Sequence, residues 1–94
     1  MSQKLTANQI NHFLSLNSNW YLNNNKLCID FKFSDFVSAL EFTNKIGKIA
    51  EEHNHHPDIF LTWGKVKLEI WTHSENALTE LDLTLANSII GKLI

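Results

Sequence analysis

The chain has 94 residues, 44% hydrophobic and 11% aromatic, enough for one small core and too few for two. Eight basic against ten acidic side chains leave a net charge of -2 with histidine neutral, a poor balance for a surface whose partner is nucleic acid or an anionic membrane. The single cysteine, Cys28, excludes an intramolecular disulfide, so the expectation is one domain over residues 1–94 in a reducing, cytoplasmic compartment.

No apolar run approaches the roughly 18 to 20 residues that cross a bilayer, and the first five residues lack the apolar stretch of a secretory signal, so a mature, soluble chain is expected. Thr6 followed by Gln9 is a capping-box pattern, and Ile10, Phe13 and Leu14 repeat at helical spacing, which predicts a helix over residues 6–17. Residues 20–22 and 27–33 flank an Asn23-Asn24-Asn25 turn. In the second stretch Leu27, Ile29, Phe31 and Phe33 alternate with Cys28, Asp30 and Lys32, the period of a strand with one buried face. Ser34 is the expected N-cap of a long helix bearing Phe36, Val37, Ala39, Leu40, Phe42, Ile46, Ile49 and Ala50 and ending near His53. Pro57 drives His56 to an extended conformation, so that helix must stop before His55 and His56.

Residues 59–63 and 65–73 surround Gly64 as a second hairpin, with His73 on the polar face of its second strand. Thr79 can cap a last helix whose apolar residues span an arc of about 220°, twice the roughly 100° stripe needed to pack on one sheet. The surplus suggests an interface between copies. The order α-β-β-α-β-β-α then predicts an α+β fold, an antiparallel four-stranded sheet with helices packed on one face.

Five histidines in a chain this short, three of them (His53, His55, His56) within four positions, are the main chemical signal. Imidazole can give and take a proton near neutrality, and a positioned one contributes roughly 10²–10⁴ in rate, so acid/base catalysis leads. The helix exit and the adjacent Glu51 and Glu52 favour an imidazolium there, although the same placement pleases the helix dipole without any catalysis. His53, His55, His56 and Asp58 form a borderline zinc set, but no cysteine is near and the spacing fits neither His-x-x-x-His nor a finger, so no metal is expected. Asp82, three residues after Thr79, suits the acidic position of a capping box. Trp63 and Trp71 can offer a flat wall to a planar ligand or simply pack. Cys28 has no activating neighbour in sequence and reads as inert.

From Glu51 the chain runs through three positions to His55-His56-Pro57, five to Trp63, nine to His73 and eight to Asp82. That spacing resembles the signature of the pterin-4a-carbinolamine dehydratases at every fixed position. The likeness extends from about Leu27 to Ala86 and includes Phe31-Lys32-Phe33-Ser34-Asp35-Phe36, Trp63-Gly64-Lys65-Val66 and Leu78-Thr79-Glu80. Ala77, in place of a common glycine, is a small departure.

The resemblance implies a hydro-lyase that dehydrates 4a-hydroxytetrahydropterin to quinonoid dihydropterin in tetrahydrobiopterin recycling, without metal or cofactor. It implies that His55 and His73 are general acids on opposite faces of the pterin and that His56 positions it and is a candidate to accept the N5 proton. Asp82 would orient or stabilise a histidine, with Glu51, Pro57 and Trp63 at the substrate-binding positions. Homodimers or homotetramers are the implied assemblies, with no direct nucleic-acid or membrane partner. The alternative is a non-catalytic dimerisation or transcription-factor-binding module of the same fold, using the arc of Leu83, Ile90 and Ile94 in the last helix.

Overall fold

The computed structural model describes residues 3–94; Met1 and Ser2, part of the start read above as lacking a secretory signal, lie outside the described residues. The elements are α1 (Ala7–Leu16), β1 (Tyr21–Asn23), β2 (Lys26–Lys32), α2 (Phe36–His53), β3 (Asp58–Thr62), β4 (Lys65–Ile70), a 3-10 turn (His73–Glu75) and α3 (Glu80–Leu93). The strands form one antiparallel sheet in the order β1-β2-β4-β3. This is the expected α+β architecture.

Local chemistry explains most boundaries. Asn24 and Asn25, at φ 52° and 61°, form the two-residue link between Asn23 and Lys26, and a pair of left-handed residues is what a tight hairpin with right-handed twist requires. Helix α1 opens with the Thr6–Gln9 capping box. Helix α2 is capped by Asp35, whose Oδ1 accepts the Ser38 N–H at 2.7 Å, and this corrects the expected Ser34 cap by one residue. Both residues are good caps, but only Asp35 precedes the first helical residue. Hydrogen bonds from the Ser38 backbone N–H and its hydroxyl hold the Asp35 carboxyl below the ordinary aspartate range.

One face of the sheet is apolar. Register pairs Leu27 with Ile70, Ile29 with Leu68 and Phe31 with Val66, and β3 adds Ile59 and Leu61 beside Leu68 and Val66. Phe13 of α1, Ala39, Ile46 and Ile49 of α2, and Leu85, Ala86 and Ile89 of α3 join them in a single cluster with Trp20 and Leu78. The opposite face carries Lys26, Asp30, Lys65, Lys67 and Glu69, with ion pairs across strands such as Lys26–Glu69 and Lys65–Asp30, each at 3.7 Å. Cys28 belongs to that polar face yet is wholly buried in the central strand β2, and burial pushes its thiol above the ordinary range, which agrees with an inert role.

Two expectations change. Strand β4 ends at Ile70 instead of His73, because Thr72 pairs back with Ala77 and the chain enters the 3-10 turn. The surplus arc of α3 is mostly absorbed as well, since Leu83, Ile90 and Leu93 pack half-buried against the core and only Ile94 stays well exposed. A cluster of uncovered apolar residues lies on the first turns of α2, where Phe36, Val37 and Leu40 face solvent.

The β3–β4 link, Trp63-Gly64, depends on a glycine for space. A Cβ there would stand 2.9 Å from the Phe33 carbonyl oxygen, and the Gly64 carbonyl accepts the Phe33 N–H at 2.8 Å. Gly64→Ala must therefore push two backbones apart. We expect it to lower unfolding free energy by about 1–3 kcal/mol in urea titration, with no comparable loss for Gly47→Ala or Gly91→Ala, whose Cβ positions are open.

Candidate active site

Three breaks in regular structure meet at one end of the sheet: the exit of α2, the end of β4 and the entry to α3. At the first, Asn54 takes left-handed φ and ψ of 49° and 39°. Its N–H donates to the Glu51 carbonyl at 3.2 Å and the His55 N–H to the Ala50 carbonyl at 3.2 Å, the paired bonds of a Schellman end. The chain turns sharply there. Pro57 follows, buried, and holds the segment extended into β3.

His55 is thereby aimed at α3. Its Nε2 lies 2.6 Å from Oδ1 of Asp82, whose side chain is 0% exposed. The other carboxylate oxygen, Oδ2, accepts the Thr79 N–H at 2.8 Å and the Thr72 hydroxyl at 2.8 Å. Thr72 has used its hydrogen, so it accepts from the Thr79 hydroxyl at 2.7 Å, and that hydroxyl in turn accepts the Leu81 N–H at 3.2 Å. Every hydrogen in the network has a direction. Among the described residues no buried side-chain nitrogen or oxygen lacks a partner. Facing a carboxylate oxygen, His55 Nε2 carries hydrogen, which leaves Nδ1 as the acceptor in the neutral ring.

His56 is held from the last turn of α2 and in solvent: its Nε2 pairs with Glu51 Oε2, and both side chains are more than half exposed. His73 opens the 3-10 turn after β4, with the Trp71 ring centroid 4.1 Å from its own at 45°. His55, His56 and His73 line one open cleft of about 360 Å³, together with Asn54, Trp71, Thr72, Ser74 and Leu81. That size suits a small planar molecule. Asp82 sits behind His55 as its buried support, and Glu51 beside His56.

Trp63 is not brought there. It is 69% exposed at the β3–β4 turn, and the aromatic residue lining the cleft is Trp71. Pro57 shapes the backbone without appearing among the lining residues. His53 ends α2 half-buried and Asp58 accepts the Trp71 indole N–H at 3.1 Å, so the four-residue zinc set does not assemble. Among the described residues no group of three or more histidine, cysteine, aspartate or glutamate side chains converges as a metal cage. Sequence reasoning overlooked the partnership of Thr72 with Asp82, though Thr72 falls on the buried alternation of Val66, Leu68 and Ile70, and a threonine on an apolar face signals a hidden polar partner.

A family model described as pterin 4 alpha carbinolamine dehydratase matches residues 3–90. A protein of Hahella chejuensis, provisionally named pterin-4-alpha-carbinolamine dehydratase, is 40% identical over 89 residues, covering 90% of this chain and 80% of its own. One of Sulfolobus acidocaldarius with the same provisional name is 44% identical over 86 residues, covering 92% and 94%. A crystal structure from Brucella melitensis, described as a transcriptional coactivator/pterin dehydratase, superposes with a TM-score of 0.86 at 32% identity over 95% of this chain and 97% of that one. A pterin dehydratase-like protein identified as a RuBisCO assembly factor in the alpha-carboxysome shares the fold alone, with a TM-score of 0.60 at 16% identity over 77% of this chain and 83% of that one.

Asp82→Asn is the sharpest probe of the buried network. An amide can keep its oxygen toward Thr79 and Thr72 while turning its NH₂ to His55, which forces the ring hydrogen from Nε2 to Nδ1. We expect a stability change within about 1–2 kcal/mol together with inverted ¹⁵N imidazole shifts for His55, whereas Asp82→Ala should cost about 2–4 kcal/mol by orphaning several buried donors.

Proposed function

Because the chain belongs to the pterin 4 alpha carbinolamine dehydratase family, we propose that it is a hydro-lyase acting on 4a-hydroxytetrahydropterin, releasing water and quinonoid dihydropterin, and that it serves tetrahydrobiopterin recycling as one domain over residues 1–94. The observation that carries this reading is the convergence of three imidazoles, each held differently, on one cleft of suitable size. Dehydration needs a proton on the departing 4a-oxygen and loss of the N5 proton, with the C4a–O bond electrons leaving with the oxygen and the N5 electrons forming the new C=N bond. No net proton is consumed. Imidazoles able to hold opposite protonation states suit that exchange.

In this reading His55 and His73 are the general acids. Asp82 keeps His55 turned and stabilises its cation when it is protonated, and the low-dielectric setting of that carboxylate strengthens the effect. His56, tied to Glu51 in the open rim, positions the pterin and takes the N5 proton, passing it to water. Glu51, Pro57 and Trp63 are proposed at substrate-binding positions on the family pattern alone.

A second reading, a binding or dimerisation module of the same fold, draws on the exposed Phe36, Val37 and Leu40 of α2. It does not call for histidines from separate segments to meet. Sedimentation of Leu40→Glu measures that reading without touching the cleft.

The deciding experiment follows decay of 4a-hydroxytetrahydropterin generated in situ. Added protein should accelerate it, and His55→Ala/His73→Ala should lose roughly 10²–10⁴ of the acceleration while keeping its far-UV circular dichroism. No acceleration by folded wild-type protein would remove the dehydratase reading.

A further inference from the structure

We propose that Trp71 is a positioning residue, held by Asp58, that clamps the His73 ring at the cleft and leaves both of its nitrogens free. The catalytic meaning of this clamp rests on the dehydratase reading; its geometry does not.

His55 and His56 each commit a nitrogen to a carboxylate. His73 is exposed, and among the described residues neither of its ring nitrogens meets a hydrogen-bond partner. The backbone beneath it is fixed, since Thr72 and Ala77 exchange both of their backbone bonds, at 3.0 and 3.4 Å. The variable left is rotation about the side-chain torsions, and an exposed imidazole would sample several rotamers. The Trp71 ring, 4.1 Å away centre to centre, removes that freedom.

Trp71 is well suited to this because it is pinned itself. Its Nε1–H donates to Asp58 Oδ2 on β3 at 3.1 Å, and Lys26 of β2 places its ammonium 4.9 Å from the indole centroid while pairing with Glu69 of β4. Side chains from edge strand β3 and central strand β2 thus hold one indole. Alternation also separates the tasks: Trp71 serves His73 on the polar face, and its neighbour Thr72, pointing the opposite way, serves Asp82 and His55. An imidazole held by ring packing, with both nitrogens unengaged, can accept a proton from water at one nitrogen and deliver one at the other.

The test compares Trp71→Ala, Trp71→Phe, Asp58→Ala and Asp58→Asn at one fixed pH, by carbinolamine turnover and by the ¹H resonance of the His73 ring. Trp71→Ala should lower kcat roughly 10-fold with KM within about 2-fold, and should move the His73 resonance while His55 keeps its own. Trp71→Phe, which retains a stacking ring, and Asp58→Asn, which retains an acceptor oxygen, should recover most of the rate; Asp58→Ala should fall between. An unmoved His73 resonance in Trp71→Ala overturns the clamp, and so does a KM rise with kcat unchanged, which would make the indole a ligand wall. If wild-type protein shows no turnover but the His73 resonance moves selectively, the clamp stands and the dehydratase reading fails. Should Trp71→Ala not fold, Trp71→Phe and Asp58→Ala decide alone, equal His73 resonances in both and wild type counting against the clamp.

Discussion

A carboxylate wholly removed from water is the constraint around which this end of the molecule is organised. Asp82 tolerates burial only because its two oxygens meet donors from three segments: Thr72 after β4, the Thr79 N–H at the mouth of α3, and His55 beyond α2. Any shift of one segment relative to the others orphans a charged, desolvated group, a far larger cost than losing an exposed contact. The network therefore fixes where α2 may end and where α3 must begin. The carboxylate that caps α3 through Oδ2 also holds His55 Nε2 on Oδ1, so helix capping and the orientation of that ring cannot be separated at this residue.

Strand alternation extends that control outward. Residues 66, 68, 70 and 72 look into the core and residues 67, 69 and 71 onto the polar face, and at the end of β4 this period delivers Thr72 and Trp71 to different imidazoles. The end of the central strand β4 thus acts as a rigid bracket for a cleft whose histidines otherwise belong to loops, and rigid placement of loop-borne groups is what the proposed acid/base chemistry requires.

Much of this was legible in the sequence because the signals were local. Capping boxes at Thr6 and Thr79, the asparagine turn, the alternation of β2 and the break before Pro57 each depend on a few adjacent residues, and each is realised. The gathering of His55, His56 and His73 was legible only through spacing resembling a known family, since residues on different segments carry no local signal of their meeting. The burial of Cys28 was missed because it is decided by strands distant in sequence, whereas the cap at Asp35 was one of two adjacent residues equally able to cap, and β4 ends early through a Thr72–Ala77 pairing that strand alternation does not encode. Periodicity identified two polar strand positions, but not that the central strand would bury Cys28 and the loop pairing of Thr72 with Ala77 would take His73 off the sheet.

The three histidines form a series in how tightly they are held. His55 is bound to a buried carboxylate that cannot be rehydrated without opening the core; His56 shares a proton-bearing contact with Glu51 in solvent, where screening and side-chain entropy make such pairs weak and readily exchanged; His73 packs against the tilted Trp71 ring. A ring that must keep its orientation through a reaction belongs in the first setting, and a ring that must exchange protons with water belongs in the second or third. Identical side chains are thereby given different surroundings: a buried carboxylate, an exposed one and an aromatic ring. A substitution that equalised those surroundings, for example by giving His73 a carboxylate partner of its own, would leave all three imidazoles in the cleft and still remove the difference between them on which the proposed division of labour depends.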